Sequence, residues 1–333
     1  MQFRELGQSG IEVSVVCMGC WQLIGDGTWG EQREQDSIAA IEASLDAGVT
    51  FFDTAEGYGA GDSEELLGRT LGSRRKKVVL ASKVSRRNLA PDAMREHLEA
   101  SLKRLGTDYI DLYQVHWPSP KIPVDETLEA MEKLKDEGKI RAIGVSNFGV
   151  SYLDDVVKVG GVATNQLCYS LLWRPIEFEV KPKCVDGGID MLCYSPLCQG
   201  LLTGKFRTPE DVPEGRARTR LFSGSRGEAR HGEKGLEKET FEAIDRVRSL
   251  CEEAGIEMTH AALAWLLEQN GVAAVIAGAR NAEQARDNAK AGEVELPIEL
   301  VENLSQETGK LKQLVGPNAD MWQSDSRMEK PGS

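Results

Sequence analysis

Phe51-Phe52-Asp53-Thr54-Ala55-Glu56-Gly57-Tyr58-Gly59 decides how the rest of the chain is read. Val49 to Phe52 is a short apolar run, the pattern of a strand buried on both faces, and it stops at a carboxylate. Five residues beyond Asp53, Tyr58 stands between two glycines. A strand ending on Asp53 and a flexible turn carrying Tyr58 put a carboxylate and a phenol at the mouth of a sheet. A phenol there can act as a proton donor, but with an ordinary pKa near ~10 it is a weak one at neutral pH. It calls for a cation beside it.

On both sides of this strand, short apolar runs alternate with amphipathic helices. Phe3 to Leu6 and Ile11 to Val15 flank Gly7-Gln8-Ser9-Gly10, a hairpin signal. Val16 to Cys20 is the first apolar run and Val49 to Phe52 the second, followed by Val78 to Ser82 and Tyr109 to Val115. Ile140 to Val145, Val162 to Gln166, Ile189 to Tyr194 and Ala273 to Ala277 complete eight. Between them, Ile38, Ile41 and Leu45 share a helix face that ends at Gly48, and a second helix spans about Ser63 to Leu71. Another opens at Pro91, carries Met94, Leu98, Leu102 and Leu105, and stops at Gly106; the next runs from Pro123 to Gly138. Apolar strands separated by helices pair in parallel with the helices outside. Eight such units predict a closed (β/α)8 TIM barrel with an N-terminal β-hairpin and long loops at the C-terminal face.

The 333 residues are read as a single domain, 1–333, with a core of about 3–314 and a loosely held tail over 315–333. Gly204 to Gly235 breaks the repeat and concentrates Arg216, Arg218, Arg220, Arg226 and Arg230 in an otherwise acidic chain. Two readings stand open for it, a solvated mobile loop or a flap over an anionic ligand. The formal net charge of −13 argues against a nucleic-acid or anionic-membrane partner. No apolar run approaches the ~18 residues of a membrane span, and the N-terminus lacks a signal-peptide core. Seven cysteines, an odd number, do not suggest a disulfide framework, and Cys17 and Cys20 sit on a buried strand where packing is the simpler role. The expectation is a reducing, cytoplasmic setting. The four histidines, at 97, 116, 231 and 260, make no metal-ligand spacing, so no metal is expected.

In such a barrel the chemistry lies where the strands end. The first ends at Gly19-Cys20-Trp21, the second at Asp53 with Tyr58 beyond, the third at Lys83 and the fourth at His116-Trp117. The rest end at Ser146-Asn147, Asn165-Gln166, Tyr194-Ser195 and Gly278-Ala279-Arg280. Each has a dull explanation alone. Polar or aromatic groups at the same end of all eight strands form a site. Two nucleotide-loop patterns fail: Gly57 to Asp62 lacks the third glycine of a dinucleotide fingerprint, and Gly200 to Lys205 has Phe206 where a Walker loop needs Ser or Thr.

Phe52-Asp53-Thr54-Ala55 with Tyr58, Ser82-Lys83, Asp111 to Pro118, Gly144-Val145-Ser146-Asn147-Phe148, Tyr194-Ser195-Pro196-Leu197 and Gly200 to Lys205 occur in order. In that combination the chain resembles the aldo-keto reductase superfamily from about Phe3 to Leu314, and looks most like the bacterial branch that also resembles potassium-channel β subunits. The resemblance implies an NADPH-dependent oxidoreductase that reduces aldehydes or ketones to alcohols. It makes Asp53, Tyr58, Lys83 and His116 a catalytic tetrad with Tyr58 as general acid. The ammonium of Lys83 is expected to lower the pKa of the phenol, and His116 to orient the carbonyl.

The resemblance also implies a cofactor site. Ser146, Asn147 and Gln166 match carboxamide-binding residues, and Tyr194 matches the ring stacked on the nicotinamide. Leu197, Gly200, Leu201 and Lys205 match a strap along the pyrophosphate, and Trp21, Ser195 and Pro196 belong to the same cofactor site. Gly278, Arg280, Gln284 and Asn288 match the adenosine end, where an arginine favours NADPH over NADH by gripping a 2′-phosphate. Trp21, Tyr58, His116 and Trp117 are the expected substrate contacts. The chain departs from the family at Ala277, where many relatives have proline, and at Cys198, where glycine is common. An NADPH-binding sensor or interaction module with slow turnover is the alternative. The partner expected is a small carbonyl compound, and the sequence carries no signal for or against an oligomer.

Overall fold

Each of the eight apolar runs is a parallel strand beside the next one in the chain, and the last closes on the first. A computed structural model describes residues 1–332. The barrel strands are β3 (Val16–Gly19), β4 (Phe51–Asp53), β5 (Val79–Val84), β6 (Ile110–Val115), β7 (Ile140–Ser146), β8 (Val162–Cys168), β9 (Asp190–Tyr194) and β10 (Val272–Gly278). Closure is made by β10 on β3, with Gly278 opposite Gly19, and Asp53 lies opposite Gly19 on one side and Ala81 on the other.

Alternation along the strands sorts the apolar side chains into two cores. Cys17, Phe51, Ala81, Leu112, Leu192 and Ala274 fill the barrel interior. Their neighbours Met18, Phe52, Leu80 and Tyr113 belong to the larger core shared with helix residues such as Ile41, Leu67 and Leu98. Those helices include α1 (Glu34–Asp46), α2 (Asp62–Leu71), α3 (Pro91–Leu105), α4 (Val124–Asp136) and α5 (Val150–Val159). The third of them begins at Pro91 and ends on a left-handed Gly106 (φ 62°), as the spacing predicts.

The hairpin of β1 (Phe3–Glu5) and β2 (Glu12–Ser14) closes one end of the barrel. Its Leu6, Ile11 and Val13 join the interior core. Arg4 Nη1 donates to the Val272 carbonyl at 2.6 Å and Gly7 N to Asp190 Oδ2 at 2.8 Å, both at strand N-termini. Gly7 (φ 53°) approaches so closely that a Cβ there would lie 2.5 Å from the Ala163 carbonyl oxygen. The hairpin thus plugs the N-terminal end and leaves the C-terminal end, with Asp53, Lys83 and His116, open.

Two segments are settled by packing. Of the two readings open for 204–235, the solvated loop is the one that fails: Val212, Ala217, Leu221 and Phe222 are buried, Arg220 donates to Glu233 and to the Asn318 and Asp320 carbonyls, and Arg226 pairs with Glu237. The tail from 315, expected to be loosely held, is tied down. Met321 and Met328 are buried, and Arg327 grips Asp320 with bonds of 2.7 and 2.8 Å. The Glu329 carboxylate accepts from the amides of Val150 and Ser151 at the start of α5. A carboxylate on the free N–H groups of a helix start is a favourable anchor. No helix among the described residues is long and apolar enough to cross a membrane.

Candidate active site

Asp53, Lys83 and Tyr58 form one hydrogen-bonded chain at the open end of the barrel. The Lys83 ammonium, fully buried, donates to Asp53 Oδ1 at 2.5 Å, to the Thr54 carbonyl at 2.8 Å and to the Tyr58 hydroxyl oxygen at 3.2 Å. An ammonium has three N–H groups, so Lys83 is saturated. Because the Tyr58 oxygen accepts from Lys83, the phenolic proton is free to point elsewhere. The second oxygen of Asp53 accepts from Gln114 at 3.1 Å and Gln166 at 2.9 Å.

Tyr58 is aimed by its turn. Gly59 (φ 59°) and Ala60 (φ 55°) are both left-handed, and a Cβ on Gly59 would meet Ile24 Cδ1 at 2.3 Å. Ala60 therefore carries backbone strain beside the phenol. The Tyr58 ring stacks on Trp21 at 6.0 Å and meets His116 edge-on at 5.8 Å. Burial lowers the proton affinity of Lys83, but Asp53 and Tyr58 reverse this and hold the ammonium well above the usual lysine range. For Tyr58, burial raises the pKa and the Lys83 charge offsets only part of the rise. The expected depression is thus reversed in sign: the phenol stays protonated through neutral pH. Burial, and then the charge of Lys83, push the His116 imidazole down to about 3. His116 is neutral at pH 7 and keeps one N–H donor.

A cavity of about 1070 Å³ opens above these groups. Trp21, Asp53, Tyr58, His116, Trp117, Ser146, Asn147 and Gln166 line it. So do Tyr194, Ser195, Pro196, Leu197, Gly200, Lys205, Gly278, Arg280, Gln284 and Asn288. Two expected residues do not: Lys83 lies behind Asp53 and Tyr58, and the Leu201 side chain is buried in the larger core.

Residues 15–306 match the model of the aldo/keto reductase family. The chain belongs to that family. It is 40% identical over 295 residues to Aldo-keto reductase YhdN of Bacillus subtilis, covering 85% of this chain and 86% of the relative. It is 33% identical over 319 residues to the NADH-specific methylglyoxal reductase of Escherichia coli, covering 89% and 95%. A crystal structure of an aldo-keto reductase from Klebsiella pneumoniae in complex with NADPH superposes with a TM-score of 0.72 at 30% identity, covering 95% of each chain. The chain is an NAD(P)H-dependent oxidoreductase of this family.

In this aldo-keto reductase several side chains do more than the sequence suggests. Gln166, expected to face a carboxamide, commits its Nε2 to Asp53 and to Gln114 Oε1 at 3.2 Å, so only its Oε1 is left for that role. Tyr194 Oη donates to Asn147 Oδ1 at 2.9 Å, and Asn147 Nδ2 donates to the His116 carbonyl at 3.1 Å, joining the tyrosine to the tetrad. Arg280 Nε donates to Gln32 Oε1 at 2.9 Å and Nη2 to the Glu31 carbonyl, which leaves Nη1 unengaged. The strap runs through left-handed Cys198 (φ 46°), Gln199 (φ 56°) and Gly200 (φ 94°), so the cysteine in the place of a common glycine sits in a conformation that glycine would hold without strain. Gln199 is buried with both amide atoms unpartnered, and Arg216 Nε and Trp29 Nε1 are likewise unpartnered. Cys17 and Cys20 are free buried thiols, and burial raises the pKa of each.

Gln114, Gln199, Gln32, Trp322 and Arg327 were missed. Gln114 had a signal: it lies two positions before His116, on the same side of its strand as Leu112, which points into the barrel. Trp322 and Arg327 line the cavity from the tail, which no local pattern announced.

Proposed function

We propose that this chain reduces aldehydes or ketones with NADPH and that Tyr58 is the proton donor. The observation that carries the reading is the saturated Lys83: its third N–H goes to the Tyr58 oxygen, which turns the phenolic proton away from Lys83. A carbonyl oxygen placed against Tyr58 and His116 would accept from both. A bound NADPH supplies the hydride that the carbonyl carbon takes up. As charge develops on the carbonyl oxygen, the neutral His116 N–H stabilises it and Tyr58 delivers its proton, giving the alcohol. The phenolate left behind faces the Lys83 ammonium, which Asp53 holds in place, until solvent restores the proton. Burial raises the pKa of the phenol, so Tyr58 is loaded at neutral pH, and Lys83 keeps the loss of its proton from becoming prohibitive.

The residues present fit a dinucleotide. Lys205, Arg216 and Arg280 crowd together: burial and then the charges of Arg216 and Arg280 bring Lys205 down to about 8. Lys205 keeps solvent contact, so this repulsion is partly screened. Three cations that repel one another beside the unpartnered amide of Gln199 suit a pyrophosphate and a 2′-phosphate. Asn147, Tyr194 and Trp21 would hold the nicotinamide end, and Gln284 and Asn288 the adenosine end. NADH is the second reading: the Escherichia coli relative is named NADH-specific, and Arg280 already spends two nitrogens on the chain itself.

The test is loss of NADPH absorbance with a panel of small aldehydes, methylglyoxal included. Repeated turnover with a 1:1 yield of alcohol is the expected result. Oxidation that halts after one equivalent per chain would instead support a cofactor-binding sensor.

A further inference from the structure

The cavity holds two groups of cations. Lys205, Arg216 and Arg280 act on one another, and the reading above gives them to the cofactor. Arg218 keeps different company. Burial lowers its proton affinity first, then the charge of Arg230, with Asp26 and Glu228 acting in the opposite sense. Its guanidinium carbon lies 4.9 Å from the Trp322 ring and 5.8 Å from the Trp21 ring. Trp21 stacks on Tyr58, so Arg218 stands one indole away from the proton donor.

Of the other arginines nearby, Arg230 is exposed to solvent and three are paired. Arg220 has Glu233, Arg226 has Glu214 and Glu237, and Arg327 has Asp320. Among the described residues Arg218 makes no ion pair or hydrogen bond, and its buried Nε has no partner. The two indole faces offset part of the solvation that this half-buried guanidinium gives up, but no carboxylate pairs with it and its N–H groups go unmatched. Two carboxylates face it. Asp26 is committed, since Oδ2 accepts from Trp21 Nε1 at 3.0 Å and Oδ1 from the amides of Thr28 and Trp29 at 2.8 and 2.9 Å. Glu228 is exposed at the cavity rim and, among the described residues, bonds to nothing, so it is an internal competitor for Arg218.

Resting on the reductase reading above, we propose that Arg218, held between Trp21 and Trp322, binds an anionic group of the substrate, which makes the substrate a flat aromatic carbonyl compound carrying a carboxylate or a phosphate. Arginine stacks on aromatic faces and pairs with either anion through two parallel N–H groups. The indoles that flank it would lie along a ring whose carbonyl reaches Tyr58. Glu228 swings away when the anion arrives.

The experiment uses the full chain with NADPH and compares benzaldehyde, 4-carboxybenzaldehyde and 4-formylphenyl phosphate in the wild type, Arg218→Gln and Glu228→Gln. One of the anionic aldehydes should exceed benzaldehyde in kcat/KM by about tenfold or more, and which one does so separates a carboxylate from a phosphate ester. Arg218→Gln should remove most of that preference through KM rather than kcat, the mark of lost uniform binding. Glu228→Gln should widen it. Anionic aldehydes no better than benzaldehyde, or a preference that survives Arg218→Gln, would overturn the proposal while leaving the reductase reading intact. Should Arg218→Gln fail to fold, an unchanged preference in Glu228→Gln overturns it alone. No turnover of any aldehyde would overturn the reductase reading and this inference with it.

Discussion

Replacing Lys83 with methionine removes the ammonium while keeping the length and most of the volume of the side chain. At an effective dielectric constant of about 20, a unit charge 3.2 Å from a phenolate oxygen contributes about 5 kcal/mol. The phenolate is only partly formed while the proton is in transit, so roughly half of that, about 2–3 kcal/mol, is lost from the transition state. Turnover should fall by about 10²-fold. The same substitution strips Asp53, 2% exposed, of its counter-ion, and breaking a buried pair from one side costs about 3–5 kcal/mol of stability. The double variant Lys83→Met/Asp53→Asn separates the two effects. It should regain most of the stability in urea unfolding, because Gln114 and Gln166 can turn to meet a neutral amide, and regain none of the turnover. Initial rates at saturating NADPH and urea midpoints on the wild type and both variants decide it. A double variant within about tenfold of wild-type kcat would refute the claim that the ammonium is what lets Tyr58 give up its proton.

Three further outcomes follow. Arg280→Ala should weaken NADPH binding by about 10–100-fold in a fluorescence titration and leave NADH nearly unchanged; equal losses would mean that Arg280 serves the Gln32 contact instead. His116 takes up a proton near 6.5 in the unfolded chain but only near 3 in the fold, so the unfolded state binds more protons between those values and stability falls as pH drops through that window. His116→Asn should flatten that part of the Tm-against-pH curve, and an unchanged slope would count against the assignment. Trypsin should cut first at the exposed Arg207 and Arg230 and spare Arg218 and Arg220, whose neighbours Ala217, Thr219 and Leu221 are buried, with NADPH slowing the Arg207 cut; early cleavage at Arg218 would show that the segment undocks.

The barrel was legible because its signals are local. Apolar runs such as Val49 to Phe52, and punctuation such as Pro91 and Gly106, act within one element, and strand ends fall on one face once the strands are parallel. Those local signals put Asp53, Tyr58, Lys83 and His116 at one end of the barrel. Groups brought in by distant contacts were not legible. Trp322 and Arg327 reach the cavity because Met321 is buried and Glu329 caps α5, and neither contact has a signature in the tail itself. The stretch 204–236 hides its anchors at Val212, Ala217, Leu221 and Phe222, which follow no period. The direction of the Tyr58 shift was misjudged for a related reason. Spacing announces a nearby charge, whereas the burial that outweighs it is a property of the assembled fold.

Tyr58→Phe deletes one hydroxyl and keeps the ring that stacks on Trp21, so it isolates the proton that Tyr58 is proposed to give. The measurement is kcat for aldehyde reduction at saturating NADPH, alongside the NADPH dissociation constant of the same preparation. With Tyr58 as the proton donor, kcat should fall by at least about 10²-fold while the dissociation constant changes little. A variant that binds NADPH normally and turns over at a near-wild-type rate would contradict it.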